Sequence, residues 1–149
     1  MGRIAVVGGK VFFNLEFDVG RASPNRLDDV ELVQYGYFCT KVNPKLAGKR
    51  TPRLQTALNE LRPKGLFGPD LQEIISAHQE ARGGTIDGKI TVAKPQSSHT
   101  SRYDGTHTWM IFNLCESMFD RAPLRYPRID LDEVVGDEIA RKIAFIFNL

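Results

Sequence analysis

The sequence has few of the residues that carry strong chemistry: two cysteines, three histidines and one tryptophan. Disulfide scaffolds use many cysteines in short chains, so that class is excluded. Cys39 and Cys115 each lie in an apolar helical pattern, where a free thiol behaves as a small buried hydrophobe; a single bridge between them stays open. No apolar run approaches the roughly 18 residues that span a bilayer, so no membrane span is expected. The N-terminal stretch has one Arg and a short apolar run before Gly8-Gly9-Lys10. A secretory signal needs a longer apolar core and a small-residue cleavage site. Val6 stands where a myristoylation signal requires Ser or Thr. These absences predict a protein made in the cytoplasm, and either kept there or exported by a route that needs no N-terminal signal. Charge of one sign is also missing: 20 Lys+Arg oppose 18 Asp+Glu, a net of +2. A nucleic-acid partner usually requires a concentrated basic surface, so none is expected. Lys10 is followed by Val11, and the glycine spacing before it is not that of a phosphate loop. No Gly-x-Ser-x-Gly elbow occurs, and Ser76 and His78, two apart on a helix, do not face each other.

What is present is enough apolar material for one core. A length of 149 residues suits a single domain, and chains near that size bury about two thirds of their unfolded surface. The chain divides into an N-terminal hairpin and loop over 1–24, a helical core over 25–93 and a C-terminal helical extension over 94–149. Ile4 to Val7, then Gly8-Gly9, then alternation of Phe13, Leu15 and Phe17 with Asn14, Glu16 and Asp18 predict a β-hairpin whose second arm runs to Val19. Asp28 with Glu31 three residues later has the form of a capping box, opening a helix that ends near Val42. Thr51-Pro52 caps and starts a second helix with the stripe Leu54, Ala57, Leu58 and Leu61. Gly68-Pro69 starts a third, with Leu71, Ile74, Ile75 and His78 inward and Gly83-Gly84 closing it. A short strand is expected within Lys89–Val92. The stretch from Thr108 to Asp120 is the most apolar helix and is expected at the centre of the core. A last helix over 137–148 turns Ile139, Ile143, Ile146 and Phe147 inward. The expected architecture is therefore mainly α: a compact bundle of about five helices with a short N-terminal β-hairpin.

The third helix is bracketed by two glycine corners: Gly65-Leu66-Phe67-Gly68 before it, and Ile86-Asp87-Gly88 after it, with Gln79 between. Phe67 can plug the first corner onto the core. Gln79 can hydrogen-bond a neighbouring loop, and Asp87 can accept backbone N–H groups within its own turn. The order and spacing of Gly65, Phe67, Gly68, Gln79, Asp87 and Gly88 resemble the peptidoglycan-binding-like domain, a small helical module of bacterial proteins. The resemblance covers about residues 25–93. The sequence departs from that pattern at Lys64, where the family usually has Asp. His78 replaces a Phe, Leu71 a Thr, and Thr91 a Gly, and residues 43–62 form an insertion.

The resemblance implies a non-catalytic module that binds cell-wall glycan or its stem peptide in a shallow groove. Such a groove needs an aromatic platform and a few orienting polar groups. The platform candidates are Tyr35, Tyr37 and Tyr103; Arg82 and Lys89 are candidates for meeting stem-peptide carboxylates. The alternative is a protein-interaction or scaffold module with no carbohydrate ligand. A third reading is a metal-dependent hydrolase built on His99, Asp104 and His107, near Ser97 and Ser98. A polar loop leading into a capped helix accounts for the same residues, so no catalytic residue, metal ligand or cofactor is assigned. The acids at Asp28-Asp29 and at 130–133 are expected to serve as helix caps. Lys41, Lys45, Lys49, Arg50 and Arg53 form a basic stretch, read as a solvated loop or a contact for an acidic partner.

Overall fold

Helix α1 (Leu27–Val42) has no solvent face over most of its length. Every residue from Asp28 to Tyr37 is buried. This corrects the expectation that the helix after residue 108 holds the centre. The structure, a computed structural model, describes residues 2, 4–7, 9–94 and 109–148. Around α1 lie α2 (Pro52–Asn59), α3 (Pro69–Arg82), α4 (Met110–Arg121) and α5 (Asp137–Phe147), with single 3₁₀ turns at Pro44–Leu46 and Ile129–Leu131. The architecture is mainly α with a short N-terminal strand pair. Helix α4 makes the most extensive contact with α1. The two approach closely at Gly36, where a Cβ would lie 2.7 Å from Leu114 Cβ.

Strands β1 (Ile4–Val7) and β2 (Lys10–Phe13) form the antiparallel hairpin, pairing Ile4 with Phe13 and Val7 with Lys10. Phe12 and Phe13 are fully buried, and Phe12 stacks at 4.9 Å on Phe112 of α4. The second arm stops at Phe13, short of the expected Val19. Beyond it, the N–H groups of Glu16 and Phe17 turn to the Asp29 carboxylate, each at 3.0 Å, and cannot continue a ladder. Phe17 is left exposed. The Asn14 side chain instead pairs with the backbone of Ala93, donating to its carbonyl at 2.9 Å and accepting from its N–H at 3.0 Å. A second antiparallel pair, β3 (Val19–Gly20) with β4 (Lys89–Ile90), ties the chain to the turn that follows α3.

The acids of α1 do not cap their own helix. Its N-cap is Arg26, which makes no side-chain cap bond. Asp28, 3% exposed, accepts from Lys142 Nζ of α5 at 2.8 Å. Glu31 accepts from the N–H groups of Glu138 and Ile139 at 3.1 and 3.2 Å, and so caps α5 from across the core. An anionic acceptor at a helix N-terminus satisfies orphan donors and complements the helix dipole. Burial raises the Glu31 carboxyl pKa, with the two N–H bonds opposing and the nearby Asp137 and Glu138 charges adding to it. At the far end of α1, Arg50 donates to the Thr40 and Lys41 carbonyls and closes that helix. The basic stretch is thus not one solvated surface: Arg50 turns inward and Arg53 pairs with Glu73 and Glu80 of α3.

Asp132 likewise serves as a hub rather than a cap. It is 5% exposed and accepts from Tyr35 Oη at 2.8 Å, Arg121 Nε at 2.6 Å and Arg125 Nη2 at 3.1 Å. Helix α5 buries Ile139 and Ile143, but Ile146 is exposed, contrary to the inward stripe expected there. Ile146 lies on the same angular stripe as Ile139 and Ile143, but in the last turn of α5, beyond the part of the helix that is buried. Cys39 and Cys115 are both buried free thiols. Burial is the first cause that pushes each thiol up to about 12, so neither is a reactive thiolate.

Two outcomes are expected. A Cβ at Gly136 would sit 1.7 Å from Glu31 Oε2, so Gly136→Ala must displace the carboxylate that caps α5. We expect it to cost about 3 kcal/mol in urea unfolding, the scale of unmaking a buried charge-assisted pair of bonds. For Asp132, burial would raise the pKa, but the bonds from Arg121, Tyr35 and the Val134 N–H outweigh it and hold it at about 2 against an ordinary 3.8. Its contribution is therefore present above the unfolded value and lost as pH falls from near 4 through about 2. The stability gap between wild type and Asp132→Asn should narrow by about 2 kcal/mol between roughly pH 6 and roughly pH 2.

Candidate functional site

The second glycine corner is built around one side chain. Gln79, 6% exposed on α3, donates from Nε2 to Asp87 Oδ1 at 2.8 Å and to the Lys89 carbonyl at 2.9 Å. Its Oε1 accepts from the Gly88 N–H at 2.9 Å. Asp87 Oδ1 also accepts from the Lys89 N–H at 3.1 Å. The Gly88 carbonyl takes Gln72 Nε2 at 2.8 Å and the Arg21 N–H at 2.9 Å. Gly88 itself has φ +76°, a conformation that side chains resist. A glutamine amide has donors and an acceptor on one rigid plane, so it can bind a loop at both sides as a backbone strand would.

The first corner is fixed from α1. Gln34 Nε2 donates to the Gly65 carbonyl at 3.0 Å, and Phe67 packs part-buried against the core. Gly68 is the extended N-cap of α3, followed by Pro69 at its first position. At the other end of α3, Gly83 has φ +76° and donates to the Glu80 carbonyl, which ends the helix.

Where α3 ends, the fastened turn and the start of α4 leave a cleft of about 340 Å³. Among the described residues it is lined by Arg82, Lys89, Gly84, Thr85, Thr91 and Met110, with Gln79 alongside. Two residues expected to meet carboxylates, Arg82 and Lys89, are therefore brought to one cleft, seven apart in sequence and joined by the Gln79-held turn. Thr85 and Met110 are not among the expected site residues, and Thr91 stands out only as a departure from the resembled pattern. They come from three segments whose meeting depends on that turn, and no local pattern marks them.

The tyrosines go elsewhere. Tyr35 and Tyr37 are each 1% exposed, so neither offers a ring face to a ligand. Both lie on α1, whose faces are all covered. Tyr35 is bound to Asp132, and Tyr37 Oη is hydrogen-bonded to His78 Nδ1 at 2.9 Å, with the rings edge to face at 5.4 Å. Burial and then the Arg82 guanidinium push His78 down to about 4, so its imidazole is neutral near pH 7. Desolvation also lowers Arg82, with Tyr37 opposing; a guanidinium still stays charged at any working pH. The positive charge of the cleft thus comes from Arg82 and Lys89 and not from the histidine one turn below.

Tyr103, His99, Asp104 and His107, with Ser97 and Ser98, lie outside the described residues. Among the described residues, no group of three or more His, Cys, Asp or Glu side chains is placed to hold a metal ion. No described helix is long and apolar enough to cross a membrane. The arrangement at the cleft suits recognition: two cations and two hydroxyls over a thioether floor.

Gln79→Ala removes both faces of the amide and leaves the Gly88 N–H and the Lys89 carbonyl without that partner. We expect a loss of about 2 kcal/mol, read as a lowered Tm in thermal unfolding. No family model, curated protein or solved structure matches the chain.

Proposed function

We propose that this chain is a non-catalytic binding module related to the peptidoglycan-binding-like domain, and that its cleft at the end of α3 holds carboxylates of a cell-wall stem peptide. The observation that carries the reading is the convergence of Arg82 and Lys89 on one cleft. A planar guanidinium grips a carboxylate through paired N–H groups, and an ammonium adds a second point of charge. The hydroxyls of Thr85 and Thr91 suit the amides between such carboxylates. The burial of Tyr35 and Tyr37 favours the peptide over the sugar, because it takes from the site two rings on which a glycan would stack. The glycine corners, Gln79 and Asp87 then act as scaffold that shapes the cleft.

The test is co-sedimentation with insoluble murein sacculi at low salt. Wild-type protein is expected in the pellet. Removing two charge-assisted contacts in the double variant R82A/K89A should lower the bound fraction roughly tenfold while leaving the circular dichroism unchanged. Wild-type protein that stays in the supernatant overturns the function. A double variant that pellets like wild type removes this cleft from it.

A further inference from the structure

A second concavity, of opposite electrostatic character, runs between α2 and α3. Arg53, near the start of α2, meets Glu73 and Glu80 along α3. Arg62, beyond the end of α2, meets Asp70 in the first turn of α3 at 3.1 Å. The two helices therefore run antiparallel, and the groove follows α2 against the first two turns of α3. It encloses about 710 Å³. Its apolar lining is Pro52, Ala57 and Pro69. Both prolines occupy the first position of their helices, where the missing N–H costs nothing and the rigid ring is presented outward.

The rim is acidic. Glu60, Asp70 and Glu73 line the groove, and Glu80 sits beside it, against Arg53 and Arg62 as the guanidiniums. Four carboxylates thus face two cations on a chain whose overall charge is +2. Glu60 has no ion-pair partner among the described residues. The Arg53 pairs are exposed, and exposed ion pairs exchange partners at little cost. An incoming cation can therefore take Glu73 while Arg53 remains on Glu80.

We propose that this groove docks a short basic segment of another protein, with a proline or small aliphatic side chain set between lysines or arginines. Charge selects the occupant. The acidic rim repels nucleic acid, anionic lipid and anionic wall polymer, and the apolar floor rewards a side chain that a simple polyamine lacks. The proposal does not depend on the cationic cleft at the end of α3, and the two surfaces take ligands of opposite charge. A patch of this size supports weak, exchanging contact rather than a permanent complex.

The experiment is a ¹⁵N NMR titration of the full chain at low salt. The probe is a blocked peptide that repeats Lys-Pro-Leu three times, and the control has Glu in place of each Lys. The lysine peptide should shift the amide signals of Thr56, Ala57, Glu60 and Glu73, and bind at least fivefold more tightly than the control. Charge reversal in E60K/E73K should weaken it at least fivefold. Thr56→Arg, an exposed position whose side chain would enter the groove, should do the same with the fold intact by its spectrum. Equal binding of both peptides, shifts confined to other surfaces, or undiminished affinity in both variants would overturn the proposal.

Discussion

A helix buried on every side cannot be amphipathic, and α1 obeys that constraint with a consequence for the whole chain. Its polar side chains have no water to turn to, so each must be met by another element. Asp28 is met by Lys142, Asp29 by the N–H groups of Glu16 and Phe17, Glu31 by the first turn of α5, Gln34 through its Nε2 by the Gly65 carbonyl, its Oε1 alone staying without a hydrogen-bond partner among the described residues, and Tyr35 and Tyr37 by Asp132 and His78. A buried polar group left unmet costs more than its bond returns. The central helix therefore specifies where the hairpin leaves its ladder, where α5 begins and where the corner before α3 lies. Leu32, Val33 and their apolar neighbours supply the driving force, and the polar set supplies the positions.

This arrangement explains which parts of the fold were legible in the sequence. The number and type of elements followed from period and punctuation. Thr51 accepts from the Leu54 N–H with Pro52 behind it, as local capping chemistry predicts. Gly83 closes α3 in the left-handed conformation. Local rules work where the partner lies three or four residues away. They fail where it lies a hundred away. Asp28 and Glu31 have the letters of a capping box, yet Glu31 caps a helix 107 residues downstream. Asp132 in an acidic run has the look of a helix start, yet it gathers Tyr35, Arg121 and Arg125. Helices α4 and α1 are similarly apolar, but the burial of α1 also rests on polar side chains whose partners are not visible locally.

The site was legible to a similar degree and for the same reason. Arg82 and Lys89 are candidates because the resemblance implies cations that meet carboxylates, and the turn held by Gln79 brings the two to one cleft. The tyrosines were misplaced because an aromatic with a hydroxyl has the same letter whether it lines a groove or spans a core. What decides is whether the hydroxyl finds a buried partner. Asp132 and His78 provide those partners, and neither is close in sequence to the tyrosine it binds.

The C-terminal extension also limits where a ligand can be held. Helix α5 lies along α1, and Lys64, standing where the resembled family usually has Asp, reaches toward Asp137 at 4.0 Å. Helix α4 and β3 cover further faces of α1, and α2 packs against both α1 and α3 through Leu54, Ala57 and Leu58. Of the helices in the resembled core, α1 is covered along its middle, and α3 keeps its C-terminal end and the groove it shares with α2. Among the described residues these are two of the places where a cavity opens beside charged side chains. The first is cationic because α3 ends in Arg82 and the turn returns Lys89 beside it. The second is acidic because the outer face of α3 carries Glu73 and Glu80, while the cations supplied by α2 are too few to balance them. Both of these cavities border α3, and the turn held by Gln79 sets the geometry of the cationic one.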